Sequence, residues 1–203
     1  MSQGRWDSVA NCVNFNLKID CARLFEMTDR EAKVLDFGCG YGRISNELAA
    51  CGYTDVTGID PSHAMIERGR RAFPGLNLLQ SVGSDLPFDE SSFDVIVICA
   101  VFTCIPSLGE RLSVASEITR VLKPGGIVHL SEFCAEESAS FMSGLGLPMR
   151  YSSPQELRDL FAGFLCSHAE IVSASKMSGE AVSSYRAFIR KHRHRPTADA
   201  GRD

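Results

Sequence analysis

The sequence predicts an α/β domain: a doubly wound, seven-stranded, mostly parallel sheet that closes with a C-terminal antiparallel strand pair. Three observations predict it. Five apolar, strand-length runs alternate with helical patterns between residues 32 and 133, the order that gives a parallel sheet covered by helices. The first run, VLDF (34–37), opens directly into GCGYG (38–42) and a helical stretch. Residues 168–174 and 183–190 form two more runs joined only by a turn-like segment, so they should pair antiparallel.

In chain order, residues 5–28 carry Val9, Val13, Leu17, Cys21, Leu24 and Phe25 at spacings of three and four. That spacing predicts one or two amphipathic helices, and we assign residues 1–30 to an N-terminal helical cap. Trp6 and Phe15 fall off the stripe; they either pack on the next element or close over a substrate. Residues 32–37 are nearly continuous in apolar character, as in a parallel strand buried on both faces. A helix over 41–51 presents Ile44, Leu48 and Cys51. A second strand, 54–59, stops at Asp60-Pro61, and Ser62 is the N-cap of a helix to residue 72. Pro74-Gly75 breaks that helix before a short third strand at 76–80.

Residues 83–92 read as a loop, and FDVIVIC (93–99) is the strongest strand signal in the chain. Leu108, Leu112, Ala115, Ile118 and Leu122 form a helical stripe, which the breakers KPGG (123–126) end ahead of a strand at 127–133. Gly144, Gly146 and Pro148 make 135–152 irregular. Ser153-Pro154 starts another helix with Leu157, Leu160, Phe161 and Phe164 as its face. The main domain is taken as 31–192, and the polar residues 193–203 are expected to be disordered.

Composition narrows the function. The chain has 203 residues, 44% hydrophobic and 23% charged, with a net charge of −4. This suits one globular domain and gives no reason to expect nucleic acid or an acidic membrane as a partner. No apolar run approaches the ~20 residues of a membrane span. Arg5, Asp7 and Asn11 interrupt any signal-peptide pattern, so the protein is expected to be cytoplasmic, as a monomer or homodimer. The eight cysteines are scattered, with no CxxC pair, and are expected to be reduced; no metal is implied. The basic end (Arg186, Arg190, Lys191, Arg193, Arg195) reads as a solvated strand and tail rather than an RNA contact.

The glycine turn carries the chemistry. Three glycines at alternate positions let the main chain turn tightly and touch a ligand with no Cβ between. The following helix points its free N–H groups and dipole into the same place. Nicotinamide-binding folds also place a glycine turn here, and Asp60 can bind ribose hydroxyls under either reading. The spacing, however, is GxGxG rather than GxGxxG, with Asp36 two residues ahead.

Together, VLDFGCGYGRIS (34–45), VTGIDPS (56–62), SDLPFDESSFDVIV (84–97) and EITRVLKPGGIVHLSEF (117–133) resemble the class I S-adenosylmethionine-dependent methyltransferases. The resemblance is dense over residues 30–134 and implies their Rossmann-like fold. It also implies an enzyme that moves a methyl group from S-adenosylmethionine to an O, N or C nucleophile and releases S-adenosylhomocysteine. Asp36 and the backbone of Gly38, Cys39, Gly40, Tyr41 and Gly42 would then hold the methionine portion, with Asp36 facing the ammonium. Asp60 would accept both ribose hydroxyls, beside Pro61. Ser62 and Met65 would flank adenine, and Gly83, Ser84, Asp85 and Leu86 would meet its edge. Cys99 and Ala100 would pass beside the methionine amino group. Two departures stand out: Val82 replaces the Asp or Asn of many relatives, and Cys104-Ile105-Pro106 replaces their His-Ile-Pro.

The acceptor is expected to be a small organic molecule, between the elements after the fourth and fifth strands and the N-terminal cap. Trp6, Phe15, Phe102, Thr103, Phe133, Met142 and Arg150 are the candidate pocket. For chemistry the candidates are Cys104, Glu132 and Tyr151. Cys104 is a nucleophile or a small apolar lining residue, Glu132 a base or a solvated strand end, and Tyr151 a donor or a packing residue. His129 and His168 read as structural and surface residues. The same motifs would also suit a cofactor-binding protein that transfers no methyl group, or a methyltransferase of RNA or protein.

Overall fold

The computed structural model describes residues 3–81 and 85–193. Seven strands form one sheet: β1 Lys33–Phe37, β2 Asp55–Asp60, β3 Asn77–Gln80, β4 Phe93–Cys99, β5 Leu122–Cys134, and the terminal pair β8 Leu165–Ser175 and β9 Ala181–Arg190. Their spatial order is β3-β2-β1-β4-β5-β9-β8. The first five run parallel, and β9 pairs antiparallel with both β5 and β8. The sheet order reverses between β1 and β4, whose carboxyl ends therefore open onto a crevice where ligands bind in such sheets.

Alternation along the central strands explains why they are apolar throughout. Leu35, Phe37, Ile96 and Ile98 face a core completed by Ile118 and Val121 of helix α5, Leu108–Val121. Val34, Val95 and Val97 face the opposite core, with Leu24 from α2, Cys21–Met27, and Leu48 from α3, Arg43–Cys51. Successive side chains leave opposite faces of a strand, and both faces are covered. Helix α4, His63–Ala72, starts as its sequence predicts: the Ser62 hydroxyl accepts from the Met65 N–H at 3.2 Å.

Three segments differ from expectation. Residues 5–28 hold two short helices, α1 Gln3–Val9 and α2, while 11–20 between them are not helical. Val13 and Leu17 are buried nevertheless, so the three-and-four spacing is met by packing without a helix. Residues 135–152 contain an antiparallel hairpin, β6 Ala139–Met142 and β7 Pro148–Tyr151. The glycines that make this stretch read as irregular build its turn: Gly146 has φ +71° and donates to the Ser143 carbonyl at 2.9 Å. Pro148 costs nothing as the first residue of its strand. The last helix, α6 Pro154–Asp159, stops short of residue 164, where overlapping turns hold Phe161 and Phe164 instead.

β5 also starts early. Leu122 pairs with Phe93 before a register shift, so Lys123–Gly126 lie within the strand rather than ahead of it. Gly125 (φ +81°) and Gly126 hydrogen-bond to Lys191, just beyond β9. No helix among the described residues is long and apolar enough to cross a membrane. Residues 82–84 and 194–203, including Val82, Gly83, Ser84 and most of the expected tail, lie outside the described residues.

Candidate active site

The glycine turn sits at the carboxyl end of β1, pressed between two side chains from elsewhere in the chain. A Cβ on Gly38 (φ +71°) would lie 2.5 Å from Val101 Cγ2, and one on Gly40 (φ +55°) 2.8 Å from Phe15 Cε2. The Gly38 and Cys39 N–H groups donate to the Ile59 carbonyl at 2.9 and 3.0 Å, tying the turn to β2. Gly42, also left-handed, is the N-cap of α3 and offers no side-chain cap.

Two carboxylates flank this turn. Asp36 is buried and accepts from the Ser45 hydroxyl at 2.6 Å. Asp60 accepts from the Gly40 N–H at 3.0 Å and the Ser62 N–H at 2.8 Å, one on each oxygen. Burial pushes both acids from 3.8 up to about 6, against the pull of these donors. Each acid thus wants a charge-compensating or hydrogen-donating partner that its protein neighbours only partly supply.

Both acids face a cavity of about 700 Å³, within the roughly 300–1,000 Å³ of small-molecule sites. Gly38, Cys39, Gly40, Pro61 and Met65 line one end with them, and Cys99, Ala100, Val101 and Cys104 form the waist. At the other end Phe133, Phe141 and Tyr151 cluster, with Phe141 and Tyr151 centroids 4.5 Å apart. Met142, Met149 and Met177 complete that end.

The N-terminal segment forms a further wall. Trp6 packs edge-on to Phe15, whose ring stacks on Tyr41 at 5.5 Å. Arg68 lies 3.9 Å over the other side of Tyr41 and donates to the Ala10 and Val13 carbonyls. Asp7 accepts from Ser62 and Ala64. Trp6 and Phe15 therefore pack on the next element, as the first reading has it, and also line the cavity.

Several expected site residues lie off the cavity wall. Tyr41 supports Phe15 from beneath, and the Ser62 hydroxyl is spent on Asp7 and Met65. Leu86 is buried with its N–H on Glu117, and Asp85 is exposed. Four assignments to the acceptor region are corrected. Phe102 and Thr103 are fully buried behind the wall. Arg150 is turned to Glu156, with two contacts of 3.1 Å. Glu132 is neither a base nor a solvated strand end: it is wholly buried and accepts from the Val101, Phe102 and Thr103 N–H groups and the Thr103 hydroxyl.

Cys104 lines the cavity, but burial pushes its thiol well up and Sγ donates to the Ala100 carbonyl at 3.2 Å. A buried, high-pKa thiol is inert as a nucleophile. His129 is structural: buried, pushed down to about 4, stacked on Phe188 and accepting from the Asp20 N–H at 3.0 Å. Within the described part of the basic end, Lys191 donates to the Thr119 and Leu122 carbonyls and Arg190 to that of Gly125; Arg195 lies outside the described residues.

Two cations on the wall went unread in the sequence. Arg43 follows the glycine turn directly, a position that could have flagged it; it donates to the Leu17 carbonyl and pairs with Glu47 at 3.5 Å. Lys176, in the β8–β9 turn, pairs with Glu180 at 2.8 Å and lies 5.5 Å from the Tyr151 ring centroid. Nothing local in the sequence marks it. Among the described residues no cluster of His, Cys, Asp or Glu could hold a metal ion.

The arrangement fits S-adenosylmethionine. Asp36 suits an ammonium, the two oxygens of Asp60 a vicinal diol, and the Cβ-free turn a closely seated chain. Comparison with known proteins agrees. The family model of the methyltransferase domain matches residues 35–130. A ubiquinone/menaquinone biosynthesis C-methyltransferase of Campylobacter jejuni is 26% identical over 189 residues, 83% of this chain and 79% of that one. A demethylmenaquinone methyltransferase of Clavibacter sepedonicus is 34% identical over 125 residues, 60% of this chain and 49% of its own. Among solved structures, a SAM-dependent methyltransferase of Methanosarcina mazei superposes with a TM-score of 0.76 at 27% identity, covering 85% of this chain and 98% of that one. Over residues 35–130 the chain carries the methyltransferase domain, and it is similar in sequence and fold to S-adenosylmethionine-dependent methyltransferases.

Proposed function

We propose that the enzyme methylates a small organic acceptor with a flat, largely apolar body, bound at the Phe133–Phe141–Tyr151 end of the cavity. The observation that carries this is the make-up of that end: three aromatic rings, three methionines and, among the described residues, no histidine and no carboxylate but Glu180, which Lys176 pairs. Aromatic rings offer stacking faces, and methionines adapt to irregular apolar shapes. Relatives named as quinone-biosynthesis C-methyltransferases make a ring carbon of an electron-rich acceptor the first candidate atom.

Bound S-adenosylmethionine supplies a methyl group already activated on a sulfonium. The chain's part is then positioning and exclusion of water. Asp36 and the Gly38–Gly42 backbone orient the methionine end, Asp60 the ribose, and Pro61 and Met65 the adenine side, with Ser62 and Tyr41 as their supports. Cys99 and Ala100 approach from the end of β4. The acceptor needs no protein base if its own carbon, oxygen or nitrogen is nucleophilic at working pH.

Incubation with methyl-labelled cofactor and a panel of demethylated quinols, naphthols and aromatic amines tests the proposal. Label should enter a ring acceptor. Tight binding of S-adenosylhomocysteine with no methylated product from any small acceptor would refute it.

A further inference from the structure

Behind the cavity wall lies a pair of oppositely charged residues that do not themselves line the cavity. Glu132 of β5 and Arg111 of α5 are both wholly buried, and they grip one turn, residues 100–105, from two sides. Glu132 Oε1 accepts from the Val101 N–H at 2.7 Å and the Phe102 N–H at 2.9 Å; Oε2 accepts from the Thr103 N–H at 3.0 Å and its hydroxyl at 2.7 Å. Arg111 takes the carbonyls: Nε donates to Ile105 at 2.6 Å and Nη2 to Phe102 at 2.9 Å. Every N–H from 101 to 103 thus meets a carboxylate, and two carbonyls of the same turn meet a guanidinium.

The gripped turn is where the two ends of the cavity meet. It carries Ala100, Val101 and Cys104 to the waist. Val101 presses on Gly38 of the glycine turn, and Ala100 is held at φ +57°, a left-handed conformation strained for a residue with a Cβ. Arg111 also reaches the acceptor side, with Nη1 donating to Ser152 at 2.8 Å and to Glu156 at 2.6 Å. Glu156 in turn holds Arg150 of β7. One guanidinium therefore spans from the turn beside Gly38 to the base of the β6–β7 hairpin.

Burying two charges is costly, and apolar side chains of similar volume would often hold a core better. What they could not do is orient three consecutive amides. We propose that Glu132 and Arg111 are positioning residues that set the wall at residues 100–104, and with it the distance from the methionine end of the cofactor to the acceptor. The proposal rests on the cofactor site assigned above.

Titration of S-adenosylhomocysteine by calorimetry tests it on Glu132→Gln, Arg111→Lys and a control, Ile127→Ala. Ile127 is buried at the opposite end of the sheet, so its loss costs stability without touching the turn. Glu132→Gln, folded by circular dichroism, should bind at least about tenfold more weakly, because displaced groups are penalised steeply in such sites. Arg111→Lys should lose several-fold, and should carry the test if Glu132→Gln does not fold. Ile127→Ala, equally lowered in Tm, should bind like wild type. A folded Glu132→Gln or Arg111→Lys within twofold of wild type, or a control that loses as much, overturns the proposal. A wild type that does not bind at all removes the cofactor site, and the proposal with it.

Discussion

One cavity, two kinds of wall. The end around Asp36 and Asp60 is made of backbone: turns at the carboxyl ends of adjacent parallel strands, with Asp60 accepting from Ser62 two residues on and from Gly40 twenty residues back. The end around Tyr151 is made of side chains from the N-terminal segment, the β6–β7 hairpin and the β8–β9 turn. Its cross-links are long-range; Asn16 Nδ2 donates to the Ser175 hydroxyl at 3.3 Å across 159 residues of sequence. The first end carries two acids raised by burial, the second an ion pair, Lys176–Glu180, that satisfies itself. On the proposed assignment, the difference teaches that the cofactor would meet a rigid, charged wall, whereas the acceptor would meet an apolar surface built from side chains distant in sequence.

Four experiments would break or sharpen that contrast. The largest effect is expected from Asp60→Ala, which removes both diol acceptors; S-adenosylhomocysteine should bind about a hundredfold more weakly by calorimetry, since hydrogen bonds to a charged group are worth ~1.5–3 kcal/mol. Gly38→Ala should cost about 2 kcal/mol in urea unfolding, from left-handed strain together with the clash on Val101. An alanine there as stable as wild type would mean that Val101 moves aside freely, and the wall would not be rigid.

The third is a pH profile. Asp36 and Asp60, near 6 without ligand, are ionised at pH 7.5 and mostly protonated at pH 5. An ammonium and a diol call for the ionised forms, so affinity should fall by about tenfold per acid on acidification. The stability of the ligand-free protein should run the other way. Its folded pKa values lie above the unfolded value of 3.8, so the folded state holds the extra protons between about pH 4 and 6. Stability should therefore decline as pH rises through that window. Thermal shift with and without S-adenosylhomocysteine reads both slopes, and a flat profile would deny the two acids their role. The smallest effect on the cofactor is expected from Tyr151→Ala: binding within about twofold of wild type, with loss confined to the acceptor's KM. A large loss of cofactor binding would erase the distinction between the ends.

The cofactor end was legible because its signals are local. A glycine at every second position after an apolar strand implies the φ > 0 turn seen at Gly38, Gly40 and Gly42, and Asp36 and Asp60 sit where strands end. Helix caps at Ser62 and Ser153 were equally readable. The N-terminal stripe misled in form but not in burial: Val13 and Leu17 are core residues outside any helix. Glycine and proline in residues 135–152 signalled irregularity, yet the same residue types build a hairpin turn, and only the partner strand distinguishes the two.

By itself, then, the sequence determined the α/β sheet, the antiparallel pairing of its last two strands and the placing of Asp36 and Asp60 at strand ends, because those follow from local backbone conformation and apolar pattern. The tertiary structure decided the rest. Glu132 at a strand end reads the same whether it meets substrate, water or three buried amides, and only the docking of residues 101–103 made it an anchor. Phe141, Met149 and Lys176 joined the cavity for the same reason: what a side chain far along the chain touches is set by packing between elements, which no local pattern encodes.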